Sequence, residues 1–237
     1  MASPEHEHLP RGAPLPDWTP RPLPPREILQ GRTARLEPLD PVRHGDDLVA
    51  AFRNTPPESW TYLFHGPHTD EPSIRQWLAT SASADGYVCY AIVDLASSRA
   101  LGIASYMRMD PANGVIEVGS IHYSDAMKHT VASTEAMFLM MRHVFDDLGY
   151  RRFEWKCDSH NAPSRRMALR LGFSFEGIFR NHIIVKGHSR DTAWFAMTND
   201  DWPNIRAAYE TWLAPENFDA SEQQRSRLAA SSEPAGG

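Results

Sequence analysis

The chain is poor in cysteine. Only Cys89 and Cys157 occur among 237 residues. Both sit inside strand-like runs, which argues against a disulfide framework and for a reducing cytosol. Basic charge is not in excess either: 24 Lys and Arg stand against 30 Asp and Glu, a net charge of −6. That balance argues against nucleic acid or an anionic membrane surface as partner. No run is long and apolar enough to span a bilayer, and residues 1–30 lack the apolar centre of a signal peptide. No internal repeat is visible. Histidine is plentiful, with eleven residues, but none falls in His-x-x-Glu-His or His-x-x-x-His spacing, so no metal is expected.

What is present is enough apolar residue, 41%, for one good-sized core with tails. Residues 1–30 form a proline-heavy arm, read as extended and pinned by Trp18 and Leu23. The arm is also available to contact a second subunit, so a homodimer is one expectation. Residues 31–205 form the domain. Residues 206–237 hold the end of a last helix and a Ser/Ala/Glu/Gln-rich tail read as disordered.

Glu117 to Tyr123 alternates and is β-branched, as a strand should be. Residues 124–133 are small and polar and read as a connection. From Thr134 the period becomes helical: Met137, Met140, Met141, Val144, Phe145 and Leu148 make one apolar stripe, and Gly149 stops it. A loop that opens a helix presents unpaired N–H groups and suits a phosphate. Around this centre the order is a strand at 33–39, a helix near 46–53 and an aromatic loop at 60–64. A helix opened by Pro72 follows, then a three-stranded meander over 87–123. Beyond the long helix come a strand at 153–157 and a short helix after Pro163. A strand at 173–179 precedes a hairpin of 181–185 and 191–197 about Lys186-Gly187-His188, and a last helix begins at Asp201-Trp-Pro203. The expected class is a mixed α+β layer with helices on the sheet faces.

Several short stretches together resemble a known family: Leu36-Glu-Pro-Leu-Asp40, Glu117-Val-Gly119, Thr134-Glu-Ala136, Asn161-Ala-Pro-Ser164, Leu171-Gly-Phe-Ser-Phe-Glu-Gly177, Gly187-His-Ser-Arg-Asp191 and Asp201-Trp202. The combination, over roughly 31–205, is similar to a GCN5-related N-acetyltransferase (GNAT), and within it to the branch that acetylates ribosomal-protein N-termini. The resemblance implies a mostly antiparallel central sheet in a single domain. It also implies transfer of an acyl group, usually acetyl, from coenzyme A to an amine, with acetyl-CoA as co-substrate. CoA would lie where two central strands splay apart, its pyrophosphate on the loop before the long helix. The family's loop carries a glycine where Lys128-His-Thr-Val131-Ala-Ser133 has Val131. Valine approaches phosphate less closely than glycine does. On this basis Lys128, His129, Thr130, Val131, Ala132 and Ser133 are the pyrophosphate candidates.

An amine attacking a thioester must lose a proton, and the departing sulfur should gain a proton or a hydrogen bond. Glu117, a carboxylate in an apolar strand, is the candidate base, unless it pairs with an arginine. Ser164 is the candidate partner of the sulfur, or else a partial helix cap. Asn161 either bonds the pantetheine or caps the helix. His122 is a reserve base by its ordinary pKa, and the backbone of Ile121, His122 and Tyr123 is available to the pantetheine amides. Arg165 is a candidate for the adenosine 3′-phosphate. Trp60, Tyr62, Phe64 and His65 are the candidate acceptor wall, or else helix packing. Two other readings stay open: a weakly catalytic binding or regulatory protein on the same fold, and transfer of a larger acyl group such as succinyl.

Overall fold

A computed structural model describes residues 9–220 and 223–230. The first eight residues of the arm and the end of the tail, 231–237, lie outside the described residues. Eight strands form one sheet: β1 (Leu29–Gln30), β2 (Ala34–Pro38), β3 (Val88–Asp94), β4 (Arg99–Asp110), β5 (Val115–Tyr123), β6 (Arg152–Asp158), β7 (Ser174–Val185) and β8 (His188–Thr198). Their order is β1-β2-β3-β4-β5-β6-β8-β7, and β5·β6 is parallel while the other pairs are antiparallel. Five α-helices flank it: α1 (Pro41–Phe52), α2 (Glu71–Ser83), α3 (Val131–Arg142), α4 (Ala162–Arg170) and α5 (Trp202–Leu213). This is a single-domain α+β fold.

The core has two parts because the sheet is covered on both faces. On β3, Val88, Tyr90 and Ile92 join the cluster that holds α3 and α5, while Cys89, Ala91 and Val93 join the cluster of α1 and α2. The alternation is the two-residue period of a strand with both faces buried. Both cysteines are free and buried.

Helix starts follow their caps. α1 begins at Pro41, several residues before the expected 46, because Asp40 Oδ1 accepts from the N–H groups of Val42 at 2.8 Å and Arg43 at 3.2 Å. Asp40-Pro41 is thus a helix start and not merely a strand end. α3 likewise begins at Val131 and not Thr134, since Thr130 Oγ1 accepts from Ser133 N at 3.1 Å. The expected stripe on α3 is buried, but so is every residue from Ala132 to Met141. Glu135 fits that interior because its carboxylate accepts from the N–H groups of Arg32, Thr33 and Ala34 and from the Thr33 hydroxyl. It thereby ties α3 to the β1–β2 turn. The helix then widens into a π turn over His143–Asp147, with Leu148 N donating to His143 O at 3.0 Å, and ends at Gly149 with φ 68°. The two expected segments 173–179 and 181–185 are one strand, β7, whose pairing with β8 is irregular between Phe175 and Gly177 and again between Phe179 and Ile183.

The ends of the chain are held. In the arm, Trp18 Nε1 donates to Ala112 O at 2.8 Å and the Tyr150 hydroxyl to Pro22 O at 3.0 Å. Trp18 pins as expected; Leu23 does not, being 59% exposed. After α5, residues 214–220 and 223–230 fold back instead of running free. Trp212 Nε1 donates to Gln224 at 2.8 Å, and Phe218, Leu228 and Ala230 pack on the main core.

Candidate active site

The parallel pairing of β5 with β6 runs only from Val115↔Arg152 to Val118↔Trp155. Past that point β5 continues with β4 as far as Tyr123, and β6 continues with β8 as far as Asp158. The two strands therefore part, and the edge of β5 from Gly119 onward has no strand partner on that side. An irregularity in the β4·β5 ladder between Ile103 and Ser105, with Ser120 at φ 50°, falls at the opening. Such bulges re-aim side chains beside sites. A cavity of about 1330 Å³ fills the gap, lined by β5, the 126–130 loop, the start of α3, α4 and the C-terminal segment. That exceeds the roughly 300–1,000 Å³ of a usual small-molecule pocket and leaves room for a long substrate with a second one beside it.

Ile121, His122, Tyr123, Lys128, His129, Thr130, Val131, Ala132, Ser133 and Asn161 all line this cavity. The left-handed backbone position of the loop is His129 at φ 62°, while Val131 is the first residue of the helix. Valine at that position needs no glycine-like conformation. Lys128 shares its charge with Asp125 at 2.7 Å. Asn161 caps α4, its Oδ1 accepting from Ser164 N at 3.2 Å. Ser164 also faces the cavity, and its Oγ accepts from Trp155 Nε1 at 3.0 Å, leaving its own proton to donate.

Arg165 is not brought to the cavity; its Nη1 donates to Ser159 O at 3.2 Å and it lies over the Phe175 ring. Arg166 and Arg170 line the cavity in its place, Arg170 Nη1 donating to Thr134 Oγ1 at 3.0 Å. Their i, i+4 spacing on a helix was the available signal. Phe218, Gln223 and Gln224 also line it, and no sequence pattern marked them.

Glu117 is 2% exposed and borders the same cavity. Arg108 Nη1 lies 2.7 Å from Oε1 and Lys156 Nζ 2.8 Å from Oε2. The pairs continue as a row: Lys156 to Glu154 at 2.6 Å, Glu154 to Arg152 at 2.7 Å, and Arg152 on to Glu176. The alternation of sign is what lets so many charges stand together between strands.

Of the expected acceptor wall, Tyr62, Phe64 and His65 line the cavity. Trp60 does not; it is fully buried, stacks on His122 at 4.1 Å, and borders a second, smaller cavity of about 710 Å³ by the β7–β8 hairpin. Burial, chiefly, holds His122 at about 3 and His65 at about 4. At neutral pH His122 is an uncharged ring with an unpartnered Nε2, too weakly basic for the reserve role. Cys157 is buried, and burial pushes its thiol up. Among the described residues no group of three or more His, Cys, Asp or Glu is placed to hold a metal, and no helix is long and apolar enough to cross a membrane.

Two strands part above a helix N-terminus, beside a cavity of this size, on an α+β sheet. The acetyltransferase (GNAT) domain family matches residues 35–174. A GCN5-related N-acetyltransferase from Brucella melitensis is 49% identical, with 90% of this chain and 97% of that one covered and a TM-score of 0.87. A probable acetyltransferase of the GNAT family from Chromobacterium violaceum is 37% identical over 82% of this chain and 98% of its own, with a TM-score of 0.76. An uncharacterized N-acetyltransferase, p20, from Bacillus licheniformis is 24% identical over 62% of this chain and 83% of its own. The chain belongs to the GNAT acetyltransferase family and is an N-acetyltransferase.

Proposed function

We propose that the protein transfers acetyl from acetyl-CoA to a primary amine by direct attack, without a covalent enzyme intermediate. The observation that carries this reading is the end of β5·β6 pairing at Val118/Trp155 inside the large cavity. The free edge of β5 from Gly119 to Tyr123 suits the two amides of pantetheine. The free N–H groups at the start of α3, with the dipole behind them, suit the pyrophosphate. Arg166 and Arg170 on α4 face the same space and supply positive charge for the remaining phosphate.

The amine nitrogen bonds to the thioester carbonyl carbon, the C–S bond breaks, and the amine's surplus proton leaves. A backbone N–H of the β5 edge is the donor suited to the oxyanion. Ser164 is suited to hydrogen-bond the departing sulfur. Glu117 is the carboxylate on hand for the amine proton, taken directly or through water. Its two oxygens already hold Arg108 and Lys156, so accepting a proton means loosening one ion pair.

That double pairing also favours a second reading, a catalytically weak binding or regulatory protein. The acceptor is a small amine or a protein N-terminus, the latter following the resemblance to the ribosomal-protein branch. Two free buried thiols suit a reducing compartment, and a homodimer remains part of the proposal. Calorimetric titration with acetyl-CoA, succinyl-CoA and free CoA tests the core. Micromolar binding of acetyl-CoA supports it, preference for succinyl-CoA shifts the acyl group, and no binding into the millimolar range overturns the acetyl-CoA proposal.

A further inference from the structure

Arg190 is a guanidinium in the interior without a direct counter-ion among the described residues. It lies on β8, is 6% exposed, and its Nε has no hydrogen-bond partner. It makes no ion pair among the described residues; its one specific neighbour is the Phe64 ring, 5.0 Å from the guanidinium carbon. The charged groups that face it are Asp158, Glu117 and Arg108. Neither carboxylate forms an ion pair with it, and each has other partners. Asp158 Oδ1 accepts from His160 N at 2.9 Å and lies 3.1 Å from His160 Nδ1, and Glu117 is held by Arg108 and Lys156. A buried guanidinium carries its charge at every pH at which proteins fold. Leaving that charge without a counter-ion is costly.

Arg190 borders both the large cavity that holds Glu117 and the smaller cavity by the hairpin. An anion arriving with the acceptor therefore meets it in the same space where the amine meets the thioester. A carboxylate fits better than a phosphate. The guanidinium fork matches two planar oxygens, and on the walls of the smaller cavity Glu58 and Asp158 offset Lys186, which disfavours a dianion.

Resting on the acetyl-transfer reading, we propose that Arg190 reads a carboxylate on the acceptor, so that the substrate is a primary amine that is also a carboxylic acid. The carboxylate takes no part in the bond changes. The amine nitrogen bonds to the acetyl carbon as the C–S bond breaks, the amine proton passes to base or solvent, and the products are the N-acetyl amino acid and CoA.

The test compares glycine, β-alanine and 4-aminobutyrate with their primary amides at equal free-amine concentration, reading CoA thiol release. At least one acid should exceed its amide by about tenfold or more in kcat/KM, as a charged hydrogen bond predicts. Arg190→Gln should collapse the acid-to-amide ratio to about one, and Arg190→Lys should fall between. Transfer to acids and amides alike in the unaltered protein overturns the inference and leaves acetyl transfer standing. Thermal midpoints of the CoA-loaded protein give a reading that needs no turnover. An acid that raises the midpoint more than its amide supports the inference, and no such difference at any chain length overturns it.

Discussion

Glu117 shows how much a residue's neighbours decide. In isolation a carboxylate in an apolar strand is a base in waiting; here Arg108 and Lys156 each hold one of its oxygens. If it nonetheless takes the amine proton, Glu117→Gln lowers kcat by about a hundredfold, the low end for general-base catalysis, with CoA affinity by calorimetry unchanged. Unaltered kcat would leave Glu117 as the centre of the charge row and nothing more. The residue type and the strand were legible in the sequence. The partners were not, because Arg108 comes from β4 and Lys156 and Glu154 from β6, strands whose register against β5 only the folded sheet defines. The same holds for Arg165, which points off the cavity while Arg166 and Arg170, one helical face away, point in. Arg190 was visible only as part of the Gly187–Asp191 stretch, since burial without an ion pair leaves no mark on sequence.

At the scale of elements, α3 opens on a threonine cap and not on a glycine. The backbone turn that glycine would ease is made by His129, so Val131→Gly should leave CoA affinity unchanged; tighter binding by calorimetry would show that the valine side chain crowds the phosphate. Thr130→Ala removes the cap bond to Ser133 N. The expected loss is about 1 kcal/mol, or about 2–4 °C in midpoint by calorimetric scanning, with weaker CoA binding beside it. Strand and helix order was readable from periodicity and turn residues, apart from β1 and the continuity of β7. Helix starts at Asp40 and Thr130 were misread because capping residues resemble loop residues until the hydrogen bonds they make are known. The segment after α5 was misread for another reason: Phe218, Gln224 and Leu228 are too sparse to show a period, and they are held by contacts with α5 and the core.

At the scale of the whole molecule, the rings between α1, α2 and β5 couple stability to pH. His65, His68 and His122 pack against Trp60 and Trp77, with His68 stacked on Trp77 at 5.4 Å and His122 on Trp60 at 4.1 Å. Burial is the main cause that depresses all three, His65 to about 4 and His122 to about 3, from an ordinary 6.5. Lys186 and Lys128 push the same way, while Asp70 and Asp125 oppose. Below about pH 6.5 the unfolded chain binds protons that the folded one refuses. Stability is therefore full above that pH and falls as pH drops toward 4 and then 3. Each such histidine contributes a slope of up to about 1.4 kcal/mol per pH unit. Urea midpoints between pH 7.5 and 5 should fall accordingly, and His122→Phe, which keeps the stack, should flatten the slope. A wild-type profile level across that range would contradict the buried, neutral cluster.

The arm and the tail close on the same helix from opposite ends of the chain. Tyr150, just past α3, is bound by Pro22, while Tyr209 of α5 stacks on Phe138 and the segment to Ala230 packs behind. During synthesis α3 leaves the ribosome with its first wall already made and its last wall still some seventy residues from translation. Its apolar side then waits uncovered until α5 and the segment after it are made. Expression fragments cut at the edges of the family match, residues 35–174, would keep it in that unfinished state.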